Sequence, residues 1–328
     1  MMSPSEIAIF NADTNSENAD PAFPFPQTTP AGDGRAPPRF FLVRSIAAFM
    51  FRAHWKRSFL LWMRFAAHPL LTLRWWRFLC RFSTAEQLPP PHDDLLQKPF
   101  SKFLVAKLSY ANRLELLTEN FRLASHCFAE DVLAAVWAGE TVAAGVVSGR
   151  ADEYRCSLGL ADRYGGRHEG SFAIRLSRCG DEAILWTAKF LFVTKNGRRT
   201  IVVGGMQGPR AAKQEMVNVT RDLFGLRPKE AVLMAMQAFL DSGADRYLAV
   251  SQARHPINCR RSRRQKMLFS DIDSFWNERS AEPDDIFGFE VPISGMDGKD
   301  KRSRMKAAFF CATAGLCHSG RSDQRASI

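Results

Sequence analysis

Residues 200–229 read TIVVGGMQGPRAAKQEMVNVTRDLFGLRPK, an apolar run followed by glycines and then by a helical pattern. The apolar residues 201–203 predict a buried strand. Gly204 and Gly205 follow them, and because glycine permits backbone dihedrals that other residues avoid, we predict a turn here. Pro209 suits the first turn of a helix, where its missing N–H is not needed. The stretch therefore predicts a strand, a glycine-rich turn and a helix.

Two helices are predicted after the turn. Gly225 ends the first of them, and Pro228 begins the second. Apolar residues recur at helical spacing in both, which indicates faces turned to a core. These residues are Ala212, Met216, Val219 and Leu223 in the first helix, and Val232, Ala235, Met236 and Phe239 in the second.

A glycine-rich turn before a helix is a candidate site for phosphate, because backbone N–H groups and the helix dipole both favour an anion there. The full spacing of a P-loop or of a dinucleotide-binding fingerprint is absent. The alternative is a tight structural turn with solvated charges. The candidate cofactor-binding residues in the segment 204–213 are Gly205, Gln207, Gly208, Arg210 and Lys213.

The net charge of +11 is unevenly distributed. Residues 1–34 carry five acids and no Lys or Arg, whereas residues 35–81 carry ten Lys or Arg and no acid. The seven cysteines never form a CxxC pair, which favours reduced thiols in the cytoplasm over a disulfide framework or a zinc ribbon. The first residues lack a basic segment and a long apolar core, so we predict no secretory signal.

Residues 37–82 predict two basic amphipathic helices divided at residues 68 and 69. No run without charges approaches the ~20 residues of a membrane span. The helices could pack on the rest of the chain, lie on an anionic membrane surface or touch nucleic acid. No recognised nucleic-acid motif accompanies them, so we expect no nucleic-acid partner. The candidate membrane contacts are Arg74, Trp75, Arg77 and Arg81.

The remaining pattern predicts an α+β fold with an antiparallel or mixed central sheet flanked by helices. We expect disordered tails at 1–36 and 293–328, a proline-rich linker at 83–98 and an α+β domain at 99–292. Helices are predicted from 99 to 123 and strands from about 131 to 203, with a hairpin turn at Asn196-Gly197. A later strand is predicted at 246–251, and it would end beside the glycine turn if it pairs with 201–203. A helix near 269–279 and a short strand at 287–291 follow it.

The end of the strand 246–251 carries polar residues, at a position where sheets commonly build sites. The candidate pocket residues are Arg227, Ser251 and His255. A nucleophile formed by Ser251 and His255 lacks both an elbow motif and a third partner. His255 and Cys259 have the spacing of metal ligands on a helix, but Pro256 lies between them and no second pair exists, so we predict no metal site.

Several motifs resemble the VirK/YbjX family of bacterial proteins over roughly residues 60–292. They are VGGMQGP (203–209), Thr220, GLRPK (225–229), LAVSQARH (248–255), DIDSFWNE (271–278) and a closing strand that ends at Pro292. The chain departs from the family pattern at Phe224, where a histidine is expected. The resemblance implies a Gram-negative protein linked to virulence, envelope maintenance or tolerance of antimicrobial peptides, and it supplies no catalytic residue.

Two functions of different class remain. The order of the predicted elements is similar to the acetyltransferase-type fold, in which amides after the fourth strand hold the pyrophosphate of acyl-CoA, so the chain could be an acyltransferase. His255 or Glu215 would then be a candidate base. The other function is that of an accessory protein, cytoplasmic or peripheral to the inner membrane, which binds the membrane or a protein partner.

Overall fold

The computed structural model describes residues 46, 55–100, 102–106, 108–166, 168–209, 212–241, 243–256, 271–296 and 298–318, with the backbone alone for 55–58, 60 and 64. The helices are α1 (Trp55–Ala67), α2 (Pro69–Ala85), α3 (Asp93–Leu96), α4 (Tyr110–Ser125), α5 (Glu130–Trp137), α6 (Lys213–Asp222), α7 (Pro228–Gln237), α8 (Ile272–Asn277) and α9 (Lys301–Ala314). The strands are β1 (Val142–Ser148), β2 (Glu153–Leu160), β3 (Phe172–Arg178), β4 (Ile184–Lys195), β5 (Arg198–Gln207), β6 (Arg246–Val250), β7 (Glu282–Asp284) and β8 (Gly288–Pro292).

The strands form one sheet in the order β1-β2-β3-β4-β5-β6-β8-β7. Only the pair β5–β6 is parallel in this sheet of described strands, and the other neighbours are antiparallel. The predicted hairpin joins β4 to β5, with φ of 52° at Asn196 and 71° at Gly197, as a two-residue turn of this kind requires. The predicted α+β class, with a mixed sheet flanked by helices, is confirmed.

The core lies between the sheet and the helices α4 and α7, which pack on β4. Alternation along β3 and β4 directs large side chains to this side, because successive residues of a strand point to opposite faces. Rings from the helices and the connecting loops pack against rings from the strands, and the shortest distance between ring centroids is 5.2 Å. The rings in this cluster are Phe121, Phe128, Phe172, Phe190, Phe192 and Phe239.

Three elements differ from the sequence-based expectations. Residues 130–137, where strands were predicted to begin, form helix α5, and two acids in its first turn favour that helix end. The predicted disordered tail contains α9, whose Phe309 is fully buried and which packs on β1 and α7. The predicted linker contains α3, whose Leu95 and Leu96 are buried in the core. Residues 1–36 lie outside the described residues.

From residue 55 onward, where the structure describes it continuously, the basic segment forms two helices that divide at residues 68 and 69, as predicted. The apolar face of α2 packs into the common core. Trp75 is 0% exposed, and its indole N–H donates to the Leu95 carbonyl at 2.8 Å. Trp75 is therefore a core residue, and its prediction as a membrane contact is wrong, whereas Arg74, Arg77 and Arg81 are exposed. Every helix in the described parts of the chain falls short of the length and apolar character that crossing a membrane requires.

The glycine-rich segment is not a turn as predicted. β5 continues through both glycines to Gln207, and α6 begins at Lys213 rather than at Pro209. The second helix starts at Pro228 as predicted, and Gly225 has a φ of 85° after the end of α6. The expected ligand-binding turn is thus the end of a strand, with the short connection 208–212 leading to α6.

Candidate active site

The parallel strands β5 and β6 are paired over a short stretch only. Val202 pairs with Leu248 and Val203 with Ala249, and this pairing extends no further among the described residues. β5 continues beside β4 to Gln207, while β6 stays paired with β8. The carboxyl ends of the two parallel strands thus leave an interruption in the sheet, and sites in open sheets commonly lie at such strand ends.

A β-bulge lies at the same point of β5. Lys189 of β4 pairs with Gly205, and the next residue, Phe190, pairs with Val203, so Gly204 is the extra residue. A Cβ at Gly204 would overlap the carbonyl oxygen of Glu169, and one at Gly205 would lie 2.6 Å from its Oε2 atom. Bulges of this kind redirect side chains and are frequent beside active sites. The two glycines therefore allow Glu169 to lie directly on the backbone of β5.

Glu169 joins two basic side chains in a polar cluster. Its Oε2 lies 2.6 Å from Nζ of Lys189, and its Oε1 lies 3.4 Å from Nε2 of His255. Lys189 Nζ also lies 3.5 Å from Oε1 of Gln207, the last residue of β5. We call Glu169, Lys189 and His255 the acid–base cluster. It connects the loop before β3, the middle of β4 and the loop after β6.

Backbone hydrogen bonds fix the loops that carry the cluster. The Leu104 amide donates to the His168 carbonyl at 2.8 Å, and the Ala106 amide donates to the Arg254 carbonyl at 2.7 Å. The segment 102–106 thus binds the residues that directly precede Glu169 and His255. This arrangement holds the carboxylate and the imidazole in a defined relative position.

The charges of the cluster keep Glu169 ionised. Burial alone would raise the pKa of Glu169, but the hydrogen bond from His255 and the positive charge of Lys189 outweigh it and lower the pKa below its usual value. A carboxylate that remains charged can orient a neighbouring imidazole and stabilise its protonated form. The arrangement is therefore suited to proton transfer.

The predicted phosphate-binding residues take different positions. Gly205 lies under Glu169, Gln207 is exposed beside Lys189, and a Cβ at Gly208 would overlap the indole of Trp186. Lys213 is exposed at the start of α6. Arg210 lies outside the described residues.

The three predicted pocket residues do not converge. His255 belongs to the acid–base cluster, whereas the buried Ser251 packs against Gly288, and its Oγ accepts from the amide of Arg254 at 3.4 Å. Arg227 lies at the start of α7 and pairs with Glu278 at 3.1 Å. It lines a separate cavity with Glu230, Leu233, Met234, Glu278, Arg279, Ser294 and Lys306. The alternative base Glu215 pairs with Arg178 at 2.8 Å.

Sequence reasoning missed Glu169 and Lys189. Glu169 lies in a stretch where only strands were predicted, although β3 begins at Phe172. Lys189 does carry a signal, since it is a single charge within the apolar stretch of β4. Across the described part of the chain, no group of three or more His, Cys, Asp or Glu side chains is placed to hold a metal ion.

The fold and the cluster define an α+β protein with an acid–base cluster at the carboxyl end of a parallel strand pair. The chain matches the model of a family described as "Protein of unknown function (DUF535)" over residues 51–301. Because this match covers more than half of the chain, the chain belongs to that family. No curated protein and no solved structure matches it.

Proposed function

We propose that the chain is an acyl-CoA-dependent acyltransferase that transfers an acyl group to an amine or a hydroxyl. The observation that carries the proposal is the short β5–β6 pairing with the bulge at Gly204 beside it. The strand order resembles that of the acetyltransferase-type fold, in which the backbone after the corresponding strand holds the pyrophosphate of acyl-CoA. This is an analogy of topology, and the local chemistry has to support it independently.

The backbone after β5 has suitable chemistry for an anion. Ala212 is the N-cap of α6, and its methyl side chain cannot cap the first-turn amides, so this helix end favours an anion. The exposed Lys213 adds a positive charge at the same helix end, where the dipole also favours phosphate. The acid of this first turn, Glu215, is paired with Arg178. These features favour binding of the coenzyme A phosphates near Gln207 and Lys213.

Calorimetric titration of acetyl-CoA and octanoyl-CoA into the full chain tests this proposal. Lys213→Ala should weaken binding about fivefold, since it removes one charge from the phosphate site. Lys299→Ala is the matched control, because Lys299 is also exposed but precedes α9. The acyl-CoA proposal fails if neither ligand binds, or if both variants have the same affinity.

We also propose that the protein lies on an anionic membrane surface, because α1 presents apolar side chains to solvent. Trp62 is 60% exposed and Leu70, at the start of α2, is 80% exposed. Phe59 and Met63 are exposed as well, and the spacing of 59, 62 and 63 places them on one face of α1. Aromatic side chains beside arginines are typical of helices that lie in a membrane interface, and Arg74, Arg77 and Arg81 are exposed on α2. This second proposal is independent of the first.

The resemblance to the VirK/YbjX family supports an envelope-related role for such a membrane-bound protein. In this proposal the chain is a cytoplasmic protein on the inner membrane that supports virulence, envelope maintenance or tolerance of antimicrobial peptides. Acyl transfer and membrane binding are compatible, since an acyltransferase can act at a membrane.

Cosedimentation with phospholipid vesicles tests the membrane proposal. The chain should sediment with phosphatidylglycerol-containing vesicles and less with phosphatidylcholine alone, and salt should reduce the difference. Trp62→Ser should release the protein, whereas Ile184→Ser, which also changes an exposed apolar residue, should not. Absence of binding, or equal effects of the two variants, would exclude this surface as the attachment site.

A further inference from the structure

We propose that His255 is the general base of the acyl transfer, that Glu169 positions its imidazole, and that Lys189 holds the Glu169 carboxylate in place. The inference rests on the acyltransferase function proposed above. It goes further, because it assigns roles to three named residues and requires an acceptor with a removable proton.

The position of His255 is set by short-range structure. The residue lies in the loop after β6, and its backbone amide donates to the Gln252 carbonyl at 3.3 Å. The amide of Gln252 in turn donates to Asp273 at 2.7 Å. His255 Nε2 lies 3.4 Å from Glu169 Oε1, with 14% of its side chain exposed. The ring is therefore largely enclosed and lies against the Glu169 carboxylate.

The pairing determines which nitrogen can accept a proton. When Nε2–H of His255 donates to Glu169, the lone pair of the neutral ring is on Nδ1. Glu169 also stabilises the imidazolium that forms when Nδ1 takes a proton. A base held by a carboxylate in this way is the general arrangement that activates hydroxyl, thiol and amine nucleophiles.

Lys189 provides the counter-charge for Glu169. Its Nζ contacts the second carboxylate oxygen, Oε2, at 2.6 Å. Without this ammonium the partly buried Glu169 would take up a proton more readily, because burial favours the neutral acid. A neutral Glu169 would stabilise the imidazolium less. Lys189 is thus a positioning residue that acts through Glu169.

The cluster lies beside the proposed donor site. Glu169 rests on Gly204 and Gly205, and Lys189 reaches Gln207, so the cluster borders the segment that leads to α6. The proposal requires the acceptor to bind between His255 and the thioester held by this segment.

The reaction is balanced without an oxidant or a metal. The acceptor nitrogen or oxygen forms a bond to the thioester carbonyl carbon while His255 Nδ1 takes the acceptor proton. The carbon–sulfur bond then breaks, and the imidazolium gives the proton to the leaving coenzyme A thiolate. The products are an amide or an ester and free coenzyme A.

The test measures release of coenzyme A thiol from octanoyl-CoA, with ethanolamine as a probe that offers an amine and a hydroxyl. His255→Asn should lower kcat by about 10²- to 10⁴-fold and leave the octanoyl-CoA affinity within about twofold. His126→Asn is the control, since His126 is an exposed histidine at the end of α4. Glu169→Gln should lower kcat by about tenfold or more.

The pH profile separates the positioning role from a structural one. Glu169 contacts the His255 ring, Lys189 contacts the other oxygen of that carboxylate, and Arg254, the preceding residue, bonds to the Asp285 carbonyl. Glu169→Gln removes the negative charge that stabilises the imidazolium, so the acidic limb of the pH profile of kcat should move to lower pH. A fold defect would lower the rate without moving this limb.

The outcomes distinguish the two proposals. If octanoyl-CoA does not bind the unaltered chain, the acyltransferase function fails. If it binds and His255→Asn keeps the full kcat, the function stands and the base assignment is overturned. Binding without any thiol release above the uncatalysed rate also overturns the assignment of a base.

Discussion

Nζ of Lys189 lies 2.6 Å from Oε2 of Glu169, and only 1% of the Lys189 side chain is exposed. A lysine this deep in a sheet needs a partner, because an unpaired buried charge is strongly unfavourable. The pair joins the centre of β4 to the loop that covers the bulge of β5. The same contact therefore contributes to folding and to the geometry of the candidate site.

Breaking the pair on one side should destabilise the protein. In Glu169→Gln the ammonium of Lys189 loses its counter-charge, so we expect a loss of about 3 kcal/mol in the free energy of unfolding. The double variant Glu169→Gln/Lys189→Met removes both charges of the pair and should recover part of this loss. Urea unfolding followed by circular dichroism measures both values. If the double variant is less stable than Glu169→Gln, the pair is not the source of the loss.

The glycine of the bulge should not tolerate a side chain. Gly204→Ala would place a methyl group on the carbonyl oxygen of Glu169, and backbone atoms have little room to move. We expect a loss of about 2 kcal/mol or more in stability, as for other overpacked sites. Gly180→Ala is the control, because no atom lies within 4 Å of the added carbon there. Equal stability of the two variants in urea unfolding would contradict the close contact at the bulge.

The sequence predicted elements whose pattern is local. The strand at 201–203, the Asn196-Gly197 turn, the helix that starts at Pro228 and the strand predicted at 246–251 are all confirmed. Each follows from alternation, from turn chemistry or from a helix-start signal within a few residues. The register between neighbouring strands is not indicated by any such local sequence pattern. The bulge at Gly204 was therefore read as a turn.

The candidate site was less predictable for the same reason. Glu169, Lys189 and His255 come from separate segments, and only the folded sheet brings them together. Helix α9 was missed because its sequence, KRSRMKAAFFCATA, combines a charged start with a weak apolar periodicity. The burial of Trp75 likewise depends on α3, an element too short to predict from its sequence.

Glu230 should make stability depend on pH. Burial would raise its pKa, but the hydrogen bond from the Arg227 amide and the charges of Arg279 and Arg302 lower it below the usual value near 4.5. A group whose pKa is lower in the folded state stabilises the protein above its unfolded pKa, and this contribution is lost as the pH falls through the folded pKa. Glu230→Gln should therefore lower the free energy of unfolding by about 1–2 kcal/mol at pH 7. The difference from the unaltered chain should become smaller below about pH 4.5.

Chemical unfolding at pH 7 and at pH 3.5 measures the effect of Glu230→Gln. Glu282→Gln serves as a control, because Glu282 pairs with Arg246 at an exposed position and such pairs contribute little. The unaltered chain and Glu230→Gln could differ by the same free energy of unfolding at both pH values. That result would show that the charge of Glu230 does not stabilise the fold.

The cysteines should react with alkylating agents in the order of their exposure. Cys311 is exposed on α9, whereas Cys156 is fully buried in β2, and burial raises the pKa of its thiol to about 12. Burial and a hydrogen bond with Cys317 also raise the pKa of Cys127. Because the thiolate is the reactive form, iodoacetamide should modify Cys311 of the native protein before the five other described cysteines and should reach Cys156 only after unfolding.

Peptide mass spectrometry after timed exposure measures these rates, and Cys311→Ser should remove the fastest of the described sites without changing the other described cysteines. In urea all thiols should react at similar rates, which distinguishes protection by the fold from intrinsic reactivity. Labelling of Cys156 as fast as that of Cys311 under native conditions would mean that β2 opens to solvent. The packing between β2 and the helices would then be much less stable than the buried side chains of this region indicate.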